Sequence, residues 1–347
     1  MPSRGEEAVT AAGTLEVRGL TKHFGVGAGL VRRSKIHAVD DVSFTLEPGR
    51  ITALVGESGS GKSTVARLLA KLYTPTGGSV VFEGADIAHA RRRRDVLRYR
   101  SQVQMIFQDP FGSLNPAKTV RHHLERPLRI HEIVPRRSVD ARVRELLTSV
   151  GLVPPDKYAA KYPHELSGGQ RQRVAIARAL AVEPRVLVAD EPISMLDVSI
   201  RIGILNLMQD LKEQHDIAFL YVTHDLASAR YVADDILVMY AGQIVEQGPA
   251  QQVLDQPLHP YTRLLLASVP DPARTEREEI EIRKGLAAAA VDPPPGCRFA
   301  QRCPLAIAAC THVTPPLVEA RPARAARCHV TAPSPDLLEV IHAEPVH

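Results

Sequence analysis

Eight consecutive residues, Gly56 to Ser63, limit the possible folds of this chain more than any other segment. They read Gly-Glu-Ser-Gly-Ser-Gly-Lys-Ser and match the pattern G-x-x-x-x-G-K-S/T at every fixed position. Residues 50–55 before them are apolar and strand-like, and residues 64–70 after them have helical character. A strand, a glycine-rich turn and a helix in this order are typical of a phosphate-binding loop.

The residue types of this loop suit phosphate chemistry. Glycines let successive N–H groups point at phosphate oxygens, and a helix that begins near Lys62 adds its positive end. Lys62 carries a full charge toward the outer phosphates, and the Ser63 hydroxyl can hold Mg²⁺. The alternative is a flexible Gly/Ser loop, which the flanking strand and helix disfavour. The predicted phosphate site comprises Gly56, Glu57, Ser58, Gly59, Ser60, Gly61, Lys62, Ser63 and Thr64.

Composition and charge are ordinary for a globular protein and disfavour several functions. The chain has 347 residues, which suggests one large or two modest domains, with 44% apolar and 24% charged residues. A net charge of +4, no Trp and 4% aromatic residues give no support for a nucleic-acid partner. Residues 1–13 are polar, so we expect a disordered tail rather than a signal peptide. No run of 18 apolar residues predicts a membrane span.

Carboxylate and imidazole side chains follow two further apolar strands. Residues 186–191 end in Asp190 and Glu191, and the strand at 217–222 is followed closely by His224. Because open α/β sheets bind ligands at the carboxyl ends of their strands, these residues are site candidates. Asp190 suits Mg²⁺, and Glu191 suits activation of water. His224 is a candidate γ-phosphate contact, although a lone histidine is usually structural.

A second glycine-containing helix start lies more than a hundred residues beyond the first. Ser167, Gly168 and Gly169 precede an amphipathic helical pattern that continues to Leu180. A hydroxyl and free N–H groups at a helix start form an anion site. The chain therefore contains two segments of the phosphate-binding type.

The secondary structure of the other segments is predicted from apolar alternation and from the positions of proline and glycine. Phe24 either packs in the core or stacks on a base. The run Arg91 to Arg94 favours a solvated helix face over a phosphate-binding patch. We predict strands at 14–18, 42–47, 79–82 and 103–107, a loop from Gly25 to Lys35, helices over 119–162 with breaks at Pro135 and Pro154, and a helix at 199–214.

Taken together, the motifs resemble the ATPase subunit of an ATP-binding-cassette (ABC) transporter over about residues 14–250. Met195 stands where that family commonly has Ala, and Asp197 after it is retained. The matching segments, in the family's order, are the phosphate loop 56–63, the glutamine loop at Gln108, the signature Leu166, Ser167, Gly168, Gly169 and Gln170, the pair Asp190 and Glu191, the loop 194–197 with Asp197, and the switch histidine His224.

The resemblance implies an α/β fold of the P-loop NTPase type. Its expected parts are a RecA-like core, an antiparallel β subdomain and a helical subdomain at about residues 110–180. The implied boundaries are a tail at 1–13, an ATP-binding domain at 14–255 and a C-terminal extension at 256–347.

The resemblance also implies chemistry and roles for individual residues. ATP would bind in the phosphate loop with Phe24 beside it, and Ser63, Gln108 and Asp190 would serve Mg²⁺. Glu191 would polarise the attacking water while His224 holds the γ-phosphate. In the family two such domains pair head to tail, so the signature would face the ATP of the partner subunit.

Finer similarities indicate dipeptide and oligopeptide importers. Residues 103–116 and 258–262 are similar to that group, and the insert Gly25–Lys35 resembles the second of its two ATPase subunits. The implied location is peripheral, at the cytoplasmic face of the membrane. The implied partners are two multi-span permease subunits, a second homologous ATPase subunit and, indirectly, an extracytoplasmic solute-binding protein. Metal chelates and oligosaccharides remain alternative solutes, and a soluble non-transport ABC ATPase is the alternative function.

All four cysteines fall within 32 residues near the C-terminal end, after a linker-like segment at 286–295. Their gaps of five, six and seventeen residues match neither the common zinc spacing nor a ferredoxin spacing. Clustering favours a metal site over scattered thiols, with Zn²⁺ or an iron–sulfur cluster as alternatives. The resemblance to peptide-importer ATPases, which carry a similar cysteine pattern, favours a 4Fe–4S cluster. The predicted ligands are Cys297, Cys303, Cys310 and Cys328.

Overall fold

The computed structural model describes residues 13–26, 34–90, 92–268 and 291–333. The predicted tail lies outside the described residues except for Gly13, which is buried. Most of the insert, at 27–33, also lies outside them, as does the first half of the predicted linker, at 286–290.

A four-stranded antiparallel sheet covers one side of the phosphate loop. Its strands are β1 (Leu15–Val26), β2 (Ser34–Leu46), β4 (Gly77–Phe82) and β5 (Ala85–Asp86), in the order β2-β1-β4-β5. The predicted strands at 14–18 and 42–47 were much too short, because β1 and β2 pair along nearly their whole length. Gly25, Val26, Ser34 and Lys35 therefore belong to strands and not to the predicted loop. Register shifts between β1 and β2 interrupt the alternation that would have revealed the full strands.

The larger sheet has eight strands in the order β11-β12-β10-β9-β3-β8-β7-β6. Pairing is parallel from β9 through β6, so those strands present their carboxyl ends at one edge. β3, β7 and β8 are buried along their whole length, as expected for parallel strands covered on both faces. The strands are β3 (Ile51–Val55), β6 (Val103–Ile106), β7 (Val186–Asp190), β8 (Ala218–Thr223), β9 (Asp235–Tyr240), β10 (Gln243–Pro249), β11 (Val318–Arg321) and β12 (Arg324–Ala326).

Helices flank the large sheet and build a separate helical layer between β6 and β7. The predicted break at Pro135 is a short 3₁₀ turn, Arg136–Ser138, and α6 begins at Pro155. Among the described residues of the arginine run, Arg92 to Arg94 are exposed at the start of α2, as predicted. The helices are α1 (Lys62–Leu69), α2 (Arg93–Gln102), α3 (Pro110–Ser113), α4 (Val120–Ile130), α5 (Val139–Ser149), α6 (Pro155–Ala159), α7 (Gly168–Leu180), α8 (Val198–His215), α9 (Leu226–Val232), α10 (Ala250–Asp255) and α11 (Pro260–Ala267).

The C-terminal extension is an integral part of the large sheet. The hairpin β11–β12 pairs with β10, with Glu246 opposite Ala326. At this junction the fully buried carboxylate of Glu246 accepts a hydrogen bond from Arg324 at 2.9 Å and from the N–H groups of Leu258 and His259. A buried ion pair holds its place only when its remaining hydrogen-bonding atoms are also satisfied, and those two N–H groups meet that need.

Across the described ranges, none of the helices combines the length and the apolar character that crossing a lipid bilayer requires.

Candidate active site

Two glycines of the phosphate loop occupy positions that no larger residue could take. A Cβ atom on Gly56 would lie 2.1 Å from the carbonyl oxygen of Met239, and one on Gly61 would lie 2.1 Å from that of Ala38. Gly61 also has a φ of 110°, in the region that favours glycine. Close approach of β2 and β9 thus forces the loop to curl at the carboxyl end of β3.

Lys62 lies inside this curl, at the first position of α1. Its Nζ donates hydrogen bonds to the carbonyl oxygens of Gly56 at 2.7 Å and Glu57 at 2.9 Å. Burial lowers the pKa of Lys62, while the carboxylates of Glu191, Asp190 and Glu57 act in the opposite direction. The lysine is therefore a desolvated cation surrounded by acceptors, which suits exchange of those acceptors for phosphate oxygens.

Ser63 and Asp190 meet beside the loop. The Ser63 hydroxyl donates to Asp190 Oδ1 at 2.9 Å, across the gap between α1 and the end of β7. Burial raises the pKa of Asp190, and the bond from Ser63 partly offsets that effect. A hydroxyl and a carboxylate at this separation form the kind of oxygen-donor pair that Mg²⁺ uses. The residues present therefore fit the predicted metal.

Glu191 accepts hydrogen bonds from two other strand ends. Gln108, just beyond β6, donates its Nε2 to Glu191 Oε2 at 2.9 Å, and His224 Nδ1, just beyond β8, lies 3.0 Å from Oε1. The Glu191 backbone has a φ of 46°, which is costly for a residue with a side chain, and its N–H is held by Val222. This strained backbone conformation places the Glu191 carboxylate between Gln108 and His224.

Six of the predicted site residues are thus brought together at one edge of the sheet. The carboxylates of Asp190 and Glu191 act on Lys62, Ser63 binds Asp190, and Gln108 and His224 contact Glu191. The loop also offers the Ser60 hydroxyl, which is buried and has no hydrogen-bond partner among the described residues. Ser58 and Gly59 are exposed at the loop tip, and Thr64 is half-buried on α1. Gln108 contacts Glu191 and does not join the Ser63–Asp190 pair.

Phe24 is half-buried near the end of β1. Its ring meets Tyr73 edge to face at 5.6 Å between centroids, and the Lys22 ammonium lies 5.0 Å from its centre. The ring therefore combines a packing contact with partial exposure, which keeps both of its predicted roles open.

The signature lies at the start of α7, in the helical layer. Ser167 caps this helix: its hydroxyl accepts from Gln170 N–H while Gln170 Oε1 accepts from Ser167 N–H. Leu166 is buried and Ser167 is exposed. Asp197, also exposed, precedes α8. Gly169 has a packing role that the sequence did not reveal, because a Cβ there would lie 2.5 Å from Ile200 Cγ2 on α8.

Two residues of the C-terminal extension reach the phosphate loop, and sequence analysis missed both. The Tyr261 hydroxyl accepts a hydrogen bond from Glu57 N–H at 2.8 Å. Arg302 makes two 2.9 Å bonds to the two carboxylate oxygens of Glu57. Both contacts join residues more than 200 positions apart, and no local pattern in the sequence announces such a pairing.

The four cysteines gather in one buried part of the extension, and no disulfide joins them. Cys303, Cys310 and Cys328 are at most 7% exposed. Burial, together with a smaller effect of the other three nearby sulfurs, raises the pKa of Cys297 to about 11. Cys297 also donates its N–H to the Cys310 carbonyl at 2.8 Å, which ties the first and third positions together. The clustering seen in sequence is therefore a clustering in space.

Comparison with known families agrees with this geometry. Residues 39–194 match the family described as ABC transporter, and residues 245–310 match the family described as oligopeptide/dipeptide transporter, C-terminal region. Two solved structures share the fold at 28% identity. The cbiO1 protein from Clostridium perfringens has a TM-score of 0.61 over 70% of this chain and 90% of its own. A dimeric, post-hydrolysis structure of the ATP-binding cassette MJ0796 with ADP and Pi has a TM-score of 0.59 over 68% and 98%.

Curated relatives match over nearly the whole length. The oligopeptide transport ATP-binding protein AppF of Bacillus subtilis (strain 168) is 43% identical over 321 residues, which cover 91% of this chain and 97% of AppF. The probable peptide ABC transporter ATP-binding protein y4tS of Sinorhizobium fredii is 45% identical over 324 residues, with coverage of 92% and 90%.

The chain belongs to the ABC transporter family, as an ATP-hydrolysing subunit with the α/β fold predicted from its motifs. Within that family it carries the C-terminal region of the oligopeptide/dipeptide transporters. The predicted recognition and fold class are confirmed.

Proposed function

We propose that this chain drives peptide import by hydrolysing ATP at the edge of its large sheet. The observation that carries the proposal is the convergence of Lys62, the Ser63–Asp190 pair and Glu191 at neighbouring strand ends. The names of AppF and y4tS, which describe peptide transport, support the choice of solute class.

In this proposal the phosphate loop binds ATP, and Ser63 and Asp190 would hold Mg²⁺, which would neutralise charge at the phosphates. Lys62 exchanges its bonds to the carbonyls of Gly56 and Glu57 for bonds to phosphate oxygens. The helix α1 directs its positive end to the same place.

Glu191 accepts the proton of the attacking water, since its carboxylate directly follows Asp190 in the chain and is held by Gln108 and His224. Gln108 and His224 orient that carboxylate, and His224, with a half-exposed side chain, can turn to the γ-phosphate. Phe24, whose half-buried ring packs edge to face on Tyr73, would stack on the base of the nucleotide.

A second ATPase subunit completes the site in this proposal. Ser167, Gly168 and Gly169 open α7 at a helix start where the Ser167 hydroxyl takes the Gln170 N–H, while the N–H groups of Gly168 and Gly169 have no carbonyl acceptor within the helix. The exposed Ser167 and Asp197 then face the ATP of the partner subunit. The ATP-binding cassette MJ0796, which shares the fold, is dimeric in its structure with ADP and Pi. By the resemblance of the insert, the partner is a different but homologous chain.

Two permease subunits receive the motion at the cytoplasmic face of the membrane, where this chain is peripheral. A groove of about 500 Å³ between the sheet and the helical layer suits a permease segment. Its wall includes Phe107, which directly precedes Gln108, and the exposed apolar side chains of Leu72 and Ile130. A movement of Gln108 would therefore also move Phe107 in the wall of the groove. An extracytoplasmic solute-binding protein delivers the peptide to the permeases.

For the four cysteines we propose a 4Fe–4S cluster in preference to Zn²⁺. The donor set contains sulfur alone, which both groups accept, and the resemblance of the cysteine pattern to that of peptide-importer ATPases favours the cluster. Four clustered thiols, three of them buried, fit such a group, which would hold the extension together.

The test is ATP hydrolysis by the assembled transporter in lipid vesicles. We expect hydrolysis that rises on addition of short peptides with the solute-binding protein. Lys62→Ala should raise the KM for ATP by at least about tenfold, because it removes a charged phosphate contact. Hydrolysis that is unaffected by peptides but responds to another solute would contradict the peptide assignment. Hydrolysis unaffected by Lys62→Ala would contradict the assigned site.

A further inference from the structure

The C-terminal extension binds the phosphate loop at Glu57. Its N–H is bound by the Tyr261 hydroxyl, and its carboxylate is bound at both oxygens by Arg302. The main chain and the side chain of one loop residue are thus fixed by two segments that lie beyond the ATP-binding motifs.

The charge of Glu57 acts on the phosphate site. Its carboxylate is one of the groups that oppose the lowering of the Lys62 pKa, so the field of Glu57 reaches the lysine that faces the phosphates. A carboxylate whose field reaches Lys62 also repels the phosphate groups that Lys62 would bind. Arg302 offsets this charge, since the two side chains form a bidentate pair with only 13% of the Arg302 side chain exposed.

The position of Arg302 is itself well determined. Its guanidinium carbon lies 5.7 Å from the ring centres of both Tyr240 and Phe299. Arg302 N–H donates to the Phe299 carbonyl at 3.0 Å, within the turn that continues to Cys303. Burial among rings and the hydrogen-bonded turn leave the guanidinium little freedom, and the pair with Glu57 raises the pKa of Arg302 further above its usual value.

We propose that Arg302 is a positioning residue of the ATPase site, which sets the affinity for ATP by holding and neutralising Glu57. The turn 299–303 contains both Arg302 and Cys303, and Cys303 lies near Cys297. The folding of the cysteine region is therefore a condition for tight ATP binding. The alternative is that the pair only docks the extension on the sheet.

The proposal is tested with three variants in the full transporter: Arg302→Gln, Glu57→Gln and the double variant. Arg302→Gln should raise the KM for ATP about tenfold, because it leaves a half-buried carboxylate unpaired beside the phosphates. The value of kcat at saturating ATP should change by less than about twofold, since Arg302 does not touch the reacting atoms. Glu57→Gln removes the charge itself, so the double variant should return to the KM of Glu57→Gln alone.

A matched control separates positioning from docking. Arg298 lies on the same extension and binds Asp40 and the Ala241 carbonyl, but it does not contact Glu57. Arg298→Gln should lower the thermal midpoint as Arg302→Gln does and leave the KM for ATP near that of the unmodified chain. An equal rise of KM in both variants, or an unrescued double variant, would overturn the proposal.

The inference depends on the proposed ATP-binding role of the phosphate loop, and Lys62→Ala distinguishes the two. If Lys62→Ala raises the KM and Arg302→Gln does not, the role of Arg302 fails alone. If neither variant changes the KM, the assignment of the loop fails with it.

Discussion

The phosphate-loop edge of the large sheet and the C-terminal extension are built by different means. At the edge, Asp190 ends β7, Glu191 follows it and His224 follows β8, so the parallel pairing of these two strands places the three residues side by side. In the extension, contacts such as Arg324 with Glu246 and Arg302 with Glu57 join distant parts of the chain. The first region contains the residues that act on ATP. The second holds a residue of the phosphate loop, Glu57, in place.

Glu191→Gln should show the largest effect and should sharpen this contrast. The substitution keeps the size of the side chain and can keep the bonds with Gln108 and His224, but it cannot accept a proton. We expect kcat to fall by roughly a hundredfold or more while ATP still binds. The measurement is steady-state hydrolysis by the assembled transporter. The control is a substitution in the extension, Cys310→Ser, which should lower the metal content and leave kcat within a few-fold. An equal loss of turnover in both variants would contradict the difference in role between the two regions.

Arg324→Leu tests how much the junction of the extension contributes to stability. The pair with Glu246 is almost fully buried, at 2% and 0% exposure, so its loss leaves a buried charge unpaired. We expect a loss of roughly 3–5 kcal/mol in the free energy of unfolding, measured with denaturant. Arg230→Leu is the control, because its pair with Asp255 is about half exposed and should contribute less than about 1 kcal/mol. Equal effects would show that the junction is not the buried anchor described above.

The sequence anticipated the edge far better than the extension, for a physical reason. A loop such as Gly56–Ser63 or a strand that ends in Asp190 is recognisable because its chemistry lies in consecutive residues. The true length of β1 was missed because its pairing with β2 contains register shifts, and alternation fails there. Arg302 gave no local signal, since its partner Glu57 is 245 residues away.

Ser167 offers a cleaner probe of subunit pairing than Gly169. Any side chain on Gly169 would press on Ile200, so its variants also disturb the packing of α7 on α8. Ser167 is exposed, and both Asp and Asn preserve its helix-capping role. Ser167→Asp should weaken ATP-driven pairing by about tenfold through repulsion of the partner's γ-phosphate, while Ser167→Asn should have little effect. Sedimentation with ATP in the Glu191→Gln background measures this, and similar pairing by both variants would argue against a phosphate facing Ser167.

The smallest expected effect is a pH dependence at the root of the extension. Burial lowers the pKa of His259 to about 3, and its Nδ1 accepts the N–H of Tyr261. Because the folded value lies below the unfolded one, neutral His259 contributes stability that is present above about pH 6.5 and declines as pH falls toward 3. The thermal midpoint should therefore decrease with a steeper slope below pH 6.5 in the unmodified chain than in His259→Asn. Parallel slopes would show that His259 is not the titrating group.

The most direct test of the central claim is a structure of the full chain with Mg²⁺ and a non-hydrolysable ATP analogue. We expect Lys62 Nζ to bond to phosphate oxygens instead of the carbonyls of Gly56 and Glu57. We also expect Ser63 Oγ and the Asp190 carboxylate to lie at the metal, with Glu191 on the far side of the γ-phosphate. Phosphates bound elsewhere on the chain, or a metal remote from Ser63 and Asp190, would contradict that claim.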